Sequence, residues 1–206
     1  MLKSRRVMAW CVDFALVVTL AVLLGWFTVH RVSALLTDVP DLATRGGWEF
    51  LRSKGEALDV AEGMGLSLWG KAVGYVEQAF GALVLLTFLY QWASISLTGR
   101  TLGKALVGLR ITPVAAHRAA LRAVTTTVAD VALYALACCL LVEGEFFLSA
   151  LCWAASVVVF LLNAVPVLAP SCRSLADRLT GTAVESVRLP VPAAPLPPAP
   201  GDVPAW

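Results

Sequence analysis

Four long apolar runs alternate with polar stretches along the 206-residue chain, and each run has the length of a membrane-spanning helix. The first goes from Val7 to about Val29, behind Lys3, Arg5 and Arg6. A signal peptide is the rival reading of this start, with Val32-Ser33-Ala34 as its cleavage site. The run is far longer than the roughly 7–15 residues of a signal core, and Asp13 interrupts it, so it is read as a first span. A polar stretch from His30 to Lys71 follows, with six acids and five bases. Ala72 to about Leu97, Ala123 to about Val142, and Phe146 to about Leu168 give three more spans. The last two are joined by a tight polar turn, Glu143-Gly144-Glu145. From Pro190 to Trp206 the chain is rich in Pro and Ala, which predicts a disordered tail.

Composition agrees with this pattern. Hydrophobic residues make up 59% of the chain and charged residues 15%, with a mean hydropathy of +0.79. A soluble domain carries about a quarter charged residues, so this chain lacks the polar surface to cover a water-exposed body. The net charge of +2 matters less than where the charges sit. With both termini inside, the inner segments hold eleven Lys/Arg and the outer stretch 30–71 holds five. The positive-inside rule then predicts four spans with N-in and C-in, and a basic inner face suited to anionic lipid head groups. The five cysteines are odd in number and follow neither a disulfide nor a zinc spacing.

Polar residues inside the spans are costly, by about 2.5–3.5 kcal/mol for a charge on insertion scales. Asp13 lies about 10 Å into the first span at 1.5 Å rise per residue, and Asp130 lies as deep in the third. Read back from the inner ends, Gln91 and Asn163 reach a similar depth in the second and fourth spans. After spans two and four a nine-residue pattern recurs: Arg100-Thr-Leu-Gly-Lys104-Ala-Leu-Val-Gly108, then Arg173-Ser-Leu-Ala-Asp177-Arg178-Leu-Thr-Gly181. Each copy leads into a short β-branched tail, Leu109–Thr112 or Thr182–Val187. The fold class predicted is therefore all-α. Two helical hairpins form a parallel, pseudo-twofold repeat around a polar layer, with the Arg-Ser/Thr-Leu motifs on the cytoplasmic side. Arg6 and Asp13 share a helix face but stand about 10 Å apart along it. The motif arginines and Lys104 are better partners for the carboxylates if the motifs fold back on the helix ends. Gly103 and Gly108 would then allow close backbone approach. Such a buried pair could fix helix register or form a proton or cation site, and both readings stay open.

Other chemistry has little support. His30 and His117 share no ligand spacing, so no metal is expected. The stretch around Lys104 lacks the gap and the hydroxyl of a phosphate loop, which excludes nucleotide binding. No nucleophile–base constellation is visible, so neither an enzyme nor a cofactor is expected, and no nucleic-acid partner.

These residues resemble the RDD family of bacterial membrane proteins, named for one arginine and two aspartates. The arginine corresponds to Arg6 and the first aspartate to Asp13, in Arg6-Val-Met-Ala-Trp-Cys-Val-Asp13. Gly99–Ile111 is similar to the family's segment after its second span. Arg173–Thr182 is similar to its closing segment, which makes Asp177 the second aspartate. The resemblance covers Arg5 to Val187, outside loop 30–71 and the tail. Many members carry His where this chain has Ala176, so a proton relay through that histidine cannot operate here. The resemblance implies transport, with cation/proton exchange in some members. Two functions are weighed. One is a small cation/proton transporter that works as an oligomer through its intramembrane carboxylates. The other is a non-transporting subunit or scaffold that binds partner proteins or anionic lipids.

Overall fold

The computed structural model describes residues 2–37, 57–112, 115–168 and 175–186. Residues 38–56 of the outer stretch, Arg173 and the tail from Pro190 lie outside the described residues. Within them, four long apolar helical stretches meet the length and composition needed to cross a membrane. Helix α1 covers Leu2–Thr37 and α2 covers Ala57–Thr98, both longer than the apolar runs themselves. The flanks of the stretch read as an outer loop, 30–37 and 57–71, are therefore helical. A helix already nucleated in the apolar run needs little further favourable energy to propagate into a polar flank.

The third span is not one uniform helix. It begins as α4 (Ala116–Thr127), loosens into a π-helical turn at Val128–Ala132, and resumes as α5 (Leu133–Val142). Helix α6 (Phe146–Leu168) returns beside α5. The Glu143-Gly144-Glu145 turn between them needs φ 89° at Gly144. Small residues allow that hairpin to close tightly: Ala135 and Ala137 are buried, and Ser149 Oγ donates to the Ala137 carbonyl at 2.8 Å.

The opposite end carries the two motifs. Each folds into a short helix and a strand, α3 (Leu102–Leu106) with β1 (Leu109–Thr112), and α7 (Leu175–Thr180) with β2 (Ala183–Ser186). The strands pair antiparallel, with Ile111 opposite Val184 near the middle of the register. This ribbon departs from an all-α reading, and the physical reason lies in the tails. Leu109-Arg-Ile-Thr112 is too short and too β-branched to extend a helix, and the paired tails satisfy each other's backbone groups. A further hydrogen bond, from Ile111 N to the Gly99 carbonyl at 2.9 Å, fastens the ribbon to the end of α2. The main buried cluster sits here, with Ala9, Ile95, Leu109, Ile111, Ala119 and Val184.

Two motif glycines serve different ends. Gly103 lies so close to α1 that an added Cβ would overlap the Ala9 carbonyl. Gly108 has open space beside it, so it is not a close-approach residue. It takes φ 67° to turn the chain from α3 into β1, as Gly181 does with φ 62° between α7 and β2. Away from this end the helices present large apolar side chains outward, among them Val22 at 65% exposure and Phe147 at 76%. Only a hydrocarbon surround makes such a surface favourable.

Candidate functional site

A cavity of about 340 Å³ opens at the motif end of the bundle. It is lined by one polar residue from each long helical stretch, Asp13, Gln91, Asp130 and Asn163, together with Lys104 and Asp177 from the motifs. Arg6 and Arg122 complete its charges, while Trp10 and Phe160 form an aromatic wall with ring centroids 5.9 Å apart. The polar layer expected from residue depth is thus assembled around one space.

The three carboxylates are held very differently. Asp13 faces the first motif. One oxygen accepts from Gly103 N at 3.0 Å and from the Tyr90 hydroxyl at 3.0 Å, and the other accepts from Thr101 Oγ1 at 2.6 Å. Tyr90 in turn accepts from Leu102 N at 3.0 Å. Asp13 therefore meets one backbone N–H of the first turn of α3 directly, that of Gly103, and the Leu102 N–H through Tyr90. No motif arginine reaches it. Arg100 and Arg178 are exposed, and Arg173 lies outside the described residues. Among the described residues, the first motif does fold back on α1, and it offers Asp13 hydroxyl and backbone donors rather than an arginine.

Asp177, on α7, is buried at 3% exposure between two arginines from other helices. Arg122 Nη1 meets it at 2.5 Å and also donates to Thr182 Oγ1 at 2.5 Å. Arg6 approaches its other oxygen at 3.8 Å and donates to the Val184 carbonyl at 2.9 Å. This knot ties the starts of α1 and α4 to the second motif. Removing Asp177 would leave both arginine charges without their carboxylate, and losing the partner of a buried charge typically costs about 3–5 kcal/mol.

Asp130 sits in the π-helical turn, and one of its oxygens, Oδ1, has no hydrogen-bond partner. The Asn163 side chain lies within hydrogen-bonding reach of the carboxylate, and Asn163 Oδ1 also accepts from Ala176 N at 3.4 Å. Gln91 is held by Thr126, whose hydroxyl donates to Gln91 Oε1. A π turn widens the helix and redirects one side chain, a device common at functional positions. Lys104 is half-buried against the same cavity, and its Nζ reaches Thr101 Oγ1 at 3.5 Å. Burial, reinforced by the nearby Arg122 charge, pushes its ammonium down from 10.5 to about 8, against the opposing pull of Asp13, Asp177 and Asp130. Among the described residues, no three His, Cys, Asp or Glu side chains gather as a metal site.

Sequence reasoning did not single out Arg122 as the partner of Asp177, nor Tyr90, Thr101, Thr126 and Thr182 as bridging hydroxyls. Arg122 lies eight residues before Asp130, as Arg5 lies before Asp13, and that spacing was the available signal. The hydroxyls left none, since Ser and Thr in apolar helices usually bond back to their own carbonyls.

No curated protein and no solved structure matches the chain. One family model does, over residues 3–181, which takes in all four long helical stretches and the second motif through Gly181. The arginine-held aspartate, the capped aspartate and the four apolar helices thus belong to a multi-pass membrane protein, and the chain is a member of the RDD family.

Proposed function

We propose that this protein is a small transporter that binds a cation at Asp130 and exchanges it for a proton. The observation that carries this reading is the partnerless Asp130 Oδ1 on a charged cavity that spans the bundle's inner end. An ionisable group inside a span marks an ion or proton pathway unless it is structurally paired, and Asp130 is the carboxylate left with spare acceptor capacity. Asp13 and Asp177 serve the fold instead. Four spans give a narrow body, so transport would proceed through an oligomer that uses the outward apolar faces. The protein would sit N-in and C-in in a bacterial cytoplasmic membrane, with its basic inner segments against anionic lipid.

A parallel pseudo-twofold repeat supports an alternating mechanism between the two hairpins. Ile111 and Val184 each stand three residues after their motif glycine, and they face each other in the ribbon register. Gly108 and Gly181 share a left-handed φ. Gly103 N meets Asp13 in one half, and Ala176 N meets Asn163 beside Asp130 in the other.

The alternative, a non-transporting subunit, is favoured by one observation: Asp13 is fully satisfied by its neighbours and carries no free acceptor into the cavity. Cation-driven proton flux in proteoliposomes separates the two. Flux with Na⁺, K⁺ or Li⁺ that is lost in a folded Asp130→Asn variant supports transport. No flux from folded wild type with any of the three leaves the subunit reading.

A further inference from the structure

The cavity holds equal numbers of opposite charges: Arg6, Lys104 and Arg122 against Asp13, Asp130 and Asp177. Asp177 is held between Arg122 and Arg6, and Asp13 accepts from hydroxyl and backbone donors. Lys104 and Asp130 remain. Lys104 takes part in neither of the described salt bridges, and its contact with Thr101 is long. The cavity is thus already charge-balanced, and a metal cation entering it would leave one uncompensated positive charge in a medium of low dielectric constant. Like charges repel strongly where the dielectric constant is low, which opposes cation binding while Lys104 keeps its proton.

We propose that Lys104 is the proton carrier of the exchange, releasing its proton when a cation binds at Asp130. This rests on the reading of the cavity as a cation site. In the step, one N–H bond of the ammonium breaks, and the electron pair stays on Nζ. The proton leaves to water as one monovalent cation enters, so the net charge of the cavity is unchanged. The reverse step reloads Lys104 and expels the cation. A permanently charged side chain at this position could not do this, whereas a buried lysine gives up its proton readily.

The setting of Lys104 fits that task. It faces Asp13 on α1, Arg122 on α4, Asp130 on the π turn and Asp177 on α7, with Thr101 beside it on its own segment. Burial and Arg122 bring its proton affinity to about 8, close enough to neutrality for release and reloading. Were Asp130 the carrier, cation and proton would compete for the same oxygen, and Lys104 would be a fixed obstacle in both states.

The test uses the full-length protein in detergent, with Na⁺, K⁺ and Li⁺ titrated calorimetrically in buffers of different ionisation enthalpy, which counts protons released per ion bound. At about pH 7, below the Lys104 value, wild type should release close to one proton per bound ion. Lys104→Gln should bind the ion with no release, and its affinity should no longer fall as pH drops from about 9 to about 7. Lys104→Arg, folded by thermal unfolding, should bind more than tenfold more weakly. Proton release that persists in Lys104→Gln would overturn the assignment while leaving the cation site intact, as would wild-type affinity in Lys104→Arg. Wild type that binds none of the three ions would overturn both the cation site and this role for Lys104.

Discussion

Asp13 and Asp130 are the same residue type at matching depth, yet their surroundings differ. Asp13 accepts three hydrogen bonds, two of them from groups on the first motif. Asparagine would keep one acceptor oxygen and turn an amide donor towards two of those donors. Asp13→Asn should therefore destabilise the protein by about 2–4 kcal/mol, seen as a lower thermal midpoint in detergent. Asp130→Asn, with an oxygen that has no partner to lose, should unfold within a few degrees of wild type and fail only in ion binding. A midpoint for Asp130→Asn that falls as far as that of Asp13→Asn would show Asp130 to be structural. The knot at Asp177 makes a second prediction. By thermal unfolding, Asp177→Leu should cost about 3–5 kcal/mol because it takes the carboxylate from both Arg122 and Arg6, whereas Arg122→Met leaves Asp177 its contact with Arg6 and should cost less. Residue spacing made the depth of these carboxylates legible. It could not tell the capped one from the free one, because the partners of Asp13 lie about ninety positions away on the folded-back motif.

At the scale of elements, the motifs behave as compact caps on one end of the helices, and their glycines should respond unequally to substitution. Gly103→Ala places a methyl group into the Ala9 carbonyl and must push α3 off α1, which also lengthens the Gly103 N–Asp13 bond. Gly108→Ala meets no neighbour and suffers only the left-handed backbone, about 1–2 kcal/mol. Thermal unfolding should rank Gly103→Ala well below Gly108→Ala, and equal midpoints would contradict the close contact with α1. The shared spacing of the two motif copies was legible as a repeat of residue classes, but the turn at Gly108 was not: the spacing suggested close backbone approach there, and only the folded chain gives it a left-handed φ beside open space. Nor was the π turn legible. Val128-Ala-Asp-Val-Ala132 carries no Pro or Gly to mark it, and the widening follows from how α4 and α5 must pack against different neighbours.

For the whole molecule, the clustering of both motifs at one end makes topology a direct test. In a background without the native cysteines, Arg100→Cys and Glu145→Cys place exposed thiols at opposite ends of the bundle. With N-in and C-in topology, a membrane-impermeant thiol reagent applied to intact cells should label Glu145→Cys and spare Arg100→Cys until the cells are opened. The reverse pattern would invert the orientation and with it the side from which the cavity is reached.

Membrane residence, the number of long apolar helices and the family were determined by the sequence itself. Each depends on composition along a single stretch, or on a short pattern of neighbouring residues, and a hydrocarbon solvent acts on each stretch alone. The pairing of β1 with β2, the capture of Asp177 by Arg122 and Arg6, and the facing of Lys104 and Asp130 across one cavity were decided only by tertiary structure. These depend on which polar group reaches which across the bundle. Short-range electrostatics and hydrogen bonding settle that to within an ångström or so, far finer than the spacing of residues along a helix can specify.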